Sequence, residues 1–394
     1  MDFAPSDEQR LLADSARRWV AERCGFEAWQ AERRAGRSLA DLRWPEMAEL
    51  GWAALALPEA DGGLGAGPVA CGLIAEALGR GLVAEPFLHN AVMGAALLRT
   101  LPASALRSEI ARELAPGRAR LAIAHTEAAQ PDDEAVPATR AERAPGGWCI
   151  DGSKTVVMGA AQATWLIVSA DTHAGPTLFA IARDTPGLAR RDYTTLDAQV
   201  AAEISLSAVH LTDAARLCEP GDALRVLADV RAAGLAAIGA ESVGLMDLLL
   251  QQTIEHTRTR RQFGQALASF QVLRHRMVDM FMQIEATRSL VLLATLRLAE
   301  GDAAAPRALA ALKVKVGQAG RFIGQQAIQL HGGMGMTDDL VIGHAFKRLM
   351  ALDARLGNAD HHLQRLAGLA ACDPTASGFL PWTRAAQGQN ATSD

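Results

Sequence analysis

Between positions 120 and 218 the hydrophobic pattern is that of strands, and on both sides of that block it is that of helices. Residues 121–126, 148–152, 165–169, 178–182 and 202–206 are short segments, β-branched or alternating, divided by turn residues at regular intervals. Gly146-Gly147 and Asp151-Gly152 are hairpin-type turn signals, and Pro220-Gly221 closes the block. Upstream, Ser6 reads as an N-cap followed by Asp7 and Glu8, with Leu11, Leu12, Ala16, Trp19 and Val20 at helical spacing. Further helices are expected over 45–50, 69–82 and 90–101. Downstream, one long amphipathic helix is expected over 223–257, then helices over 269–300 and 306–330, another from about 340, and a last one over 358–370. The order is therefore helices, then strands, then helices.

The expected architecture is therefore α+β. It has an N-terminal helical domain (1–119), a middle β-barrel or sandwich domain (120–219), a C-terminal helical bundle (220–371) and a flexible tail (372–394). A chain of 394 residues, 49% hydrophobic and 21% charged, supports a large core. Its net charge of −5 gives no basic footprint for nucleic acid or an anionic membrane. No apolar run is expected to approach the roughly 18 residues that span a bilayer. The acidic, polar N-terminus is not a signal peptide. Five scattered cysteines have no metal-ligand spacing and read as reduced thiols of a cytoplasmic protein. The glycine-rich stretch 62–67 lacks the Gly-Lys-Ser/Thr ending of a phosphate loop and reads as a surface loop.

The stretch with the most chemistry is 258–271. Arg258, Arg260 and Arg261 precede Phe263 and Gly264, and Gln271 stands in the first turn of the next helix. Guanidinium groups pair bidentately with phosphate oxygens, and a helix N-terminus adds unpaired N–H groups and partial positive charge. The same residues would also serve as an ordinary basic helix end complementing the helix dipole. A second break, Gln329-Leu-His-Gly-Gly-Met-Gly335, follows a helix rather than a strand, which argues against a dinucleotide-binding βαβ unit.

These two motifs, Thr259-Arg-Arg-Gln-Phe-Gly264 with Phe270-Gln271 and Gln329 to Gly335, resemble those of the acyl-CoA dehydrogenases, and within that family the small subunit of the bacterial pimeloyl-CoA dehydrogenase type. The resemblance covers about residues 1–371. It implies a helical N-terminal domain, a middle β-domain, a C-terminal four-helix bundle and an FAD cofactor. It implies that Arg260 binds the FAD pyrophosphate, that Phe263 packs near the adenine, and that Gln271, Gln329, Gly332 and Gly333 serve the adenosine end. In the family these groups reach across a subunit interface, so a homo- or hetero-oligomer is implied, as a dimer of dimers. Acyl-CoA is the implied substrate and an electron-transfer flavoprotein the implied electron acceptor.

The middle domain departs from the family pattern. Thr126 is retained for the flavin, but Pro131-Asp132 stand where the family has Gly-Ser. Val156 stands where an indole covers the flavin, and Met158 where a hydroxyl is expected near it. A proline lacks the N–H donor, and a thioether is a weak hydrogen-bonding partner. The family's catalytic base also has no counterpart, since its two known positions correspond to Leu356 and Gly234. The nearest carboxylate is Glu241, read here on one face with Ile238, Leu245 and Leu248, where desolvation would suit a base or an arginine would satisfy it structurally. His331 reads as a backbone cap beside the glycine break. Three functions are consistent with this sequence: an FAD-dependent α,β-dehydrogenase of an acyl-CoA thioester, a partner subunit completing the flavin site of a different chain, and a non-catalytic protein that keeps only the fold.

Overall fold

The computed structural model describes residues 6–129 and 135–371. Pro131, Asp132 and the tail from 372 lie outside the described residues. Ser6 opens the first helix with a full capping box: its Oγ accepts from the Gln9 N–H at 3.2 Å, and Gln9 Oε1 accepts from the Ser6 N–H at 3.0 Å.

Among the described residues six α-helices precede the sheet: α1 (Asp7–Arg23), α2 (Phe26–Arg34), α3 (Trp44–Glu49), α4 (Pro68–Arg80), α5 (Ala95–Thr100) and α6 (Ala105–Leu114). The apolar stretch before α5 is a π-helical segment, Phe87–Gly94, a geometry that recurs near functional sites. The glycines of 62–67 serve packing: a Cβ on Gly63 would lie 2.1 Å from the Leu57 carbonyl oxygen.

The middle of the chain is one curled seven-stranded sheet: β1 (Leu121–Ala124), β2 (Arg140–Ala144), β3 (Gly147–Met158), β4 (Trp165–Thr172), β5 (Gly175–Ala182), β6 (Leu188–Thr194) and β7 (Val200–Thr212). The order is β1-β4-β2-β3-β7-β6, with β5 on β4. Two of these strands had no hydrophobic signal. β2 (RAERA) and β6 (LARRDYT) are held by pairing with β3 and β7, not by apolar faces of their own. Trp148, Val168, Phe179, Ile181 and Ile204 form the core under the sheet.

The chain then runs through α7 (Ala223–Thr259), α8 (Gln271–Glu300), α9 (Ala305–His331), α10 (Val341–Ala354) and α11 (Ala359–Ala371). The expectation of an amphipathic α7 is corrected here. Every residue from 234 to 247 is buried, because α4, α8, α9 and α10 surround the helix. By length and composition α7 could cross a membrane, which corrects the expectation that no apolar stretch approaches that length. Glu241 and Asp247 hide the run by interrupting it, and 89% of the apolar stretch is buried inside the protein.

α4 and α7 cross with their backbones in contact. A Cβ on Gly79 would lie 2.2 Å from the Glu241 carbonyl oxygen, and one on Gly244 would lie 2.0 Å from that of Glu76. Glycine is required at both positions because no side chain fits between the helices. Asp247 accepts from Arg80 and, at 2.7 Å, from Arg288, which also reaches Glu76 at 2.6 Å. The N-terminal helices and the bundle share one continuous core through this crossing.

Candidate functional site

A cavity of about 610 Å³ opens where the N-terminal helices, the sheet and the bundle meet. The π-helical segment supplies Leu88, His89 and Met93. The end of β1 supplies Ile123, His125 and Thr126, and β3 supplies Val156 and Met158. α7 contributes Leu227, Val230, Arg231 and Ile238, and the α10–α11 connection contributes residues 354–358. Among the described residues lining it, every ionisable side chain is basic and none is a carboxylate.

The two positions at which the family resemblance expects a base converge here. A Cβ built on Gly234 would lie 2.7 Å from Leu356 Cδ1 and 3.2 Å from Met93 Sδ. Two positions distant in sequence therefore share one corner of the cavity, and that corner is filled by a leucine and a methionine.

The β wall is held from behind. Lys154, 1% exposed, donates from Nζ to Glu127 Oε1 (2.7 Å), Ser169 Oγ (3.1 Å) and the His125 carbonyl (3.3 Å). Glu127 also accepts from the Thr139 N–H and hydroxyl and from the Ala138 N–H. Burial works against the Glu127 carboxylate, but the Lys154 and Thr139 hydrogen bonds outweigh it and bring its pKa down to about 2. Burial brings Lys154 down to about 8, its partner notwithstanding. Both stay charged at neutral pH, a paired arrangement that fixes the strand carrying Val156 and Met158.

Glu241 does not line this cavity. It borders a separate chamber of about 20 Å³ with Glu85, Gln199 and Arg348, and His89 belongs to the walls of both spaces. Arg348 grips Glu241 Oε1 through Nε at 2.7 Å and Nη2 at 2.6 Å, and it reaches Asp197 with Nη1 at 2.6 Å. Arg355 adds a 2.9 Å bond to the same Asp197 carboxylate. Burial opposes the Asp197 charge, but Arg348, Arg355 and the Thr195 hydroxyl bring its pKa down to about 2. Of the two readings of Glu241, a desolvated base or a carboxylate satisfied by an arginine, the geometry matches the second. The Glu241 carboxylate is one member of a buried charge clasp joining α7, α10 and the β6–β7 turn.

The two motifs of the bundle are brought together at its other end. Arg260 caps α7 and is exposed, with no side-chain hydrogen bond among the described residues. Phe263 is 90% exposed, has a left-handed backbone (φ 54°) and stands edge-on to Phe270. Gln271 begins α8 and is exposed, as is Gln329 near the end of α9. His256 of α7 stacks on His331 of α9 with ring centroids 4.3 Å apart, tying the two segments to each other. His331 Nδ1 lies 2.8 Å from the Ala327 carbonyl, so it caps the helix end, as expected of it. Gly332 and Gly333 face open space where a Cβ would stand, leaving room for close backbone approach to a ligand. This corner offers a guanidinium, a long helix N-terminus, two amides and bare backbone, a donor set suited to a diphosphate with a nucleoside attached. Thr126 lies elsewhere, on the wall of the cavity.

Burial lowers the pKa of four histidines in these regions, His89, His362, His256 and His331. His89 is pushed down to about 3 with help from Arg355 and Arg348, and His362 to about 4. His256 and His331 are lowered from the ordinary 6.5. Their folded pKa values lie below the unfolded one, so the unfolded chain binds the extra protons. The stability they represent is complete above pH 6.5 and is lost as pH falls toward 4 and 3. The unfolding free energy is therefore expected to drop as pH falls from 7 to 5, by up to about 1.4 kcal/mol per pH unit for each fully buried histidine, with the denaturant midpoint falling in step. A midpoint flat across that range would contradict the neutral assignment.

Three consecutive family models match the chain: the acyl-CoA dehydrogenase N-terminal domain over residues 6–118, the middle domain over 122–212 and the C-terminal domain over 232–368. The acyl-CoA dehydrogenase IpdE2 of Mycobacterium tuberculosis is 27% identical over 92% of this chain and 98% of its own. The ChsE4–ChsE5 complex of the same organism is similar in structure, with a TM-score of 0.84, 24% identity and coverage of 95% of this chain and 100% of that one. A steroid ACAD, Tcur3481–Tcur3483, has a TM-score of 0.79 with 29% identity, covering 93% of this chain and 98% of that one.

Proposed function

Because this chain belongs to the acyl-CoA dehydrogenase family, we propose that it serves as one subunit of a flavin-dependent acyl-CoA dehydrogenase built from two kinds of chain, where its α7–α8 corner completes the FAD site of the other. The observation that carries this reading is the cavity. The corner where both base positions converge holds Leu356 against Gly234, and no carboxylate lines the cavity among the described residues. Removing an α-proton needs a positioned base, and leucine cannot accept a proton. The base and the flavin ring are therefore assigned to the partner chain.

The residues present fit one half of FAD better than the other. Arg260 would pair with the pyrophosphate, helped by the N-terminal N–H groups of α8. Phe263 would lie against the adenine, and Gln271, Gln329, Gly332 and Gly333 would hold the adenosine end. FAD supplies the hydride acceptor for the β-hydrogen, and the protein supplies position and electrostatics. On the β wall, Val156 and Met158 offer neither an aromatic cover nor a hydroxyl, and Thr126 alone keeps the expected group. Electrons would leave through an electron-transfer flavoprotein docked on the assembly.

α8 supports association. Val272, Val278, Phe281 and Met282 are each more than half exposed on this helix, and Phe263 stands beside its start. An apolar surface next to a cluster of arginines is what a partner chain would cover. The ChsE4–ChsE5 and Tcur3481–Tcur3483 assemblies, each named for two chains, are consistent with such a pairing.

Expressed alone, the full chain is expected to purify without flavin absorbance. Co-purified with a second acyl-CoA dehydrogenase chain from its source, it is expected to carry one FAD per pair of chains, bleached by acyl-CoA. One FAD per chain in the isolated protein, reduced by acyl-CoA, would overturn the two-chain reading.

A further inference from the structure

We propose that α2 is a positioning element for the nucleotide corner: Gln30, Arg33 and Arg34 hold Asp338 and Asp339, and through them fix the glycine segment 332–336 that the corner presents. The proposal rests on the reading above in one respect, that this segment is the platform for the adenosine end of FAD.

The first observation is that the segment is not held by burial. Between the end of α9 at His331 and the start of α10 at Val341, Gly335 alone is buried, and Met334 and Met336 are 51% and 75% exposed. Gly332, Gly333 and Gly335 lose more conformational freedom on ordering than any other residue type would. A backbone that stands bare for a ligand has to be fixed by hydrogen bonds instead. Its near end is set by His331, which stacks on His256 and caps α9. Within the segment, the Thr337 N–H and hydroxyl both donate to the Met334 carbonyl, at 3.1 and 2.8 Å. Those two bonds close a turn but tie it to nothing outside.

The second observation is what meets the far end. Gln30 Nε2 donates to the Asp338 carbonyl at 2.6 Å, and His344 Nε2 of α10 lies 3.1 Å from the same oxygen. Arg33 donates to the Asp338 carboxylate at 2.9 Å, and Arg34 to that of Asp339 at 3.1 Å. Gln30, Arg33 and Arg34 stand at helical spacings of three and four, so one face of α2 grips two adjacent residues.

The third observation is the seat of α2 itself. Trp29 is buried, stacked on Phe26 with centroids 5.8 Å apart and lying 4.9 Å from the His344 ring. The Arg33 guanidinium lies over the Trp29 ring at 5.6 Å, which fixes the arm that reaches Asp338. His344 thus touches both the aromatic seat of α2 and the Asp338 carbonyl, joining helix and segment at one residue. Exposed ion pairs add little to global stability. An array of them converging on an exposed glycine segment acts on where that segment stands rather than on whether the chain folds.

The test is a triple variant of the full-length chain, Gln30→Ala with Arg33→Ala and Arg34→Ala. In the isolated chain, thermolysin is expected to cut before Met334 and Met336 at least about tenfold faster than in the parent, because cleavage follows local opening. The denaturant midpoint should be unchanged. In the two-chain complex the same variant is expected to hold FAD at least about tenfold more weakly, since binding must then order the segment. Arg33→Ala alone should move both readings in the same direction if the triple variant does not fold. Arg17→Ala, whose partner Asp14 lies on its own helix, is the control and should change neither. A lower midpoint with parental FAD affinity would mark a merely structural role and overturn the proposal. Cleavage at the parent's rate overturns it as well, and so does faster cleavage with parental FAD affinity. Each of these leaves the two-chain function standing. One FAD per chain in the isolated parent would overturn the two-chain reading alone, and the affinity loss would then be read on the isolated chain.

Discussion

Glu241→Gln is expected to destabilise this chain by about 3–5 kcal/mol, the range for breaking a buried ion pair by neutralising one partner. Arg348 is fixed between two carboxylates, Glu241 and Asp197, and Arg355 already shares the second. With Glu241 neutral, two guanidinium groups are left with one carboxylate in a buried site. Burial disfavours the charge on Arg355 and, with Arg348 beside it, lowers its pKa to about 10. The loss should appear as a lower denaturant midpoint at unchanged slope, because the folded surface is the same. Replacing the pair together, Glu241→Leu with Arg348→Met, should recover much of the loss, since no charge is then stranded. A base at this position would behave differently. The glutamine variant would melt like the parent and lose only thioester-driven bleaching in the complex. That outcome would return Glu241 to the chemistry.

Arg260→Ala is expected to strip FAD from the two-chain complex, weakening its binding by about ten- to a hundredfold, the equivalent of one lost charge-assisted bidentate contact. Arg260 stands at the end of α7, exposed and beside the stacked pair His256 and His331. Its loss should therefore leave the fold of this chain intact. Arg260→Lys should recover only part of the binding, because an ammonium group keeps the charge but not the planar fork. Arg258→Ala, two residues earlier on the last turn of the same helix, is the control for general positive charge. Equal losses at Arg258 and Arg260 would reduce the corner to a diffuse basic surface. Retention of flavin by Arg260→Ala would remove it from the site.

Much of the site was legible in the sequence wherever its parts are local. The corner at 258–271 is a helix end, a turn and a helix start, and the break at 329–335 is a helix end followed by glycines. Each declares itself through capping and backbone requirements within a few residues. The reading of His331 as a cap required only its own helix. Strands β2 and β6 escaped because their residues are polar and their place is set by neighbours across the sheet. The burial of α7 on all sides escaped because its glycines, Glu241 and Asp247 dilute the apolar signal that periodicity measures.

The order helices, sheet, helices was settled by the sequence alone, because hydrophobic period is a property of each segment by itself. So was the placing of arginines just before one helix start and of glycines just after another helix end. Only the tertiary structure decided who meets whom. It set Leu356 against Gly234 in a cavity to which no described residue brings a carboxylate, and turned Glu241 away from that cavity onto Arg348. The physical reason is that a buried charge answers to the partner that packing brings within hydrogen-bond distance. Helices far apart in the chain supply that partner, and no local pattern names it.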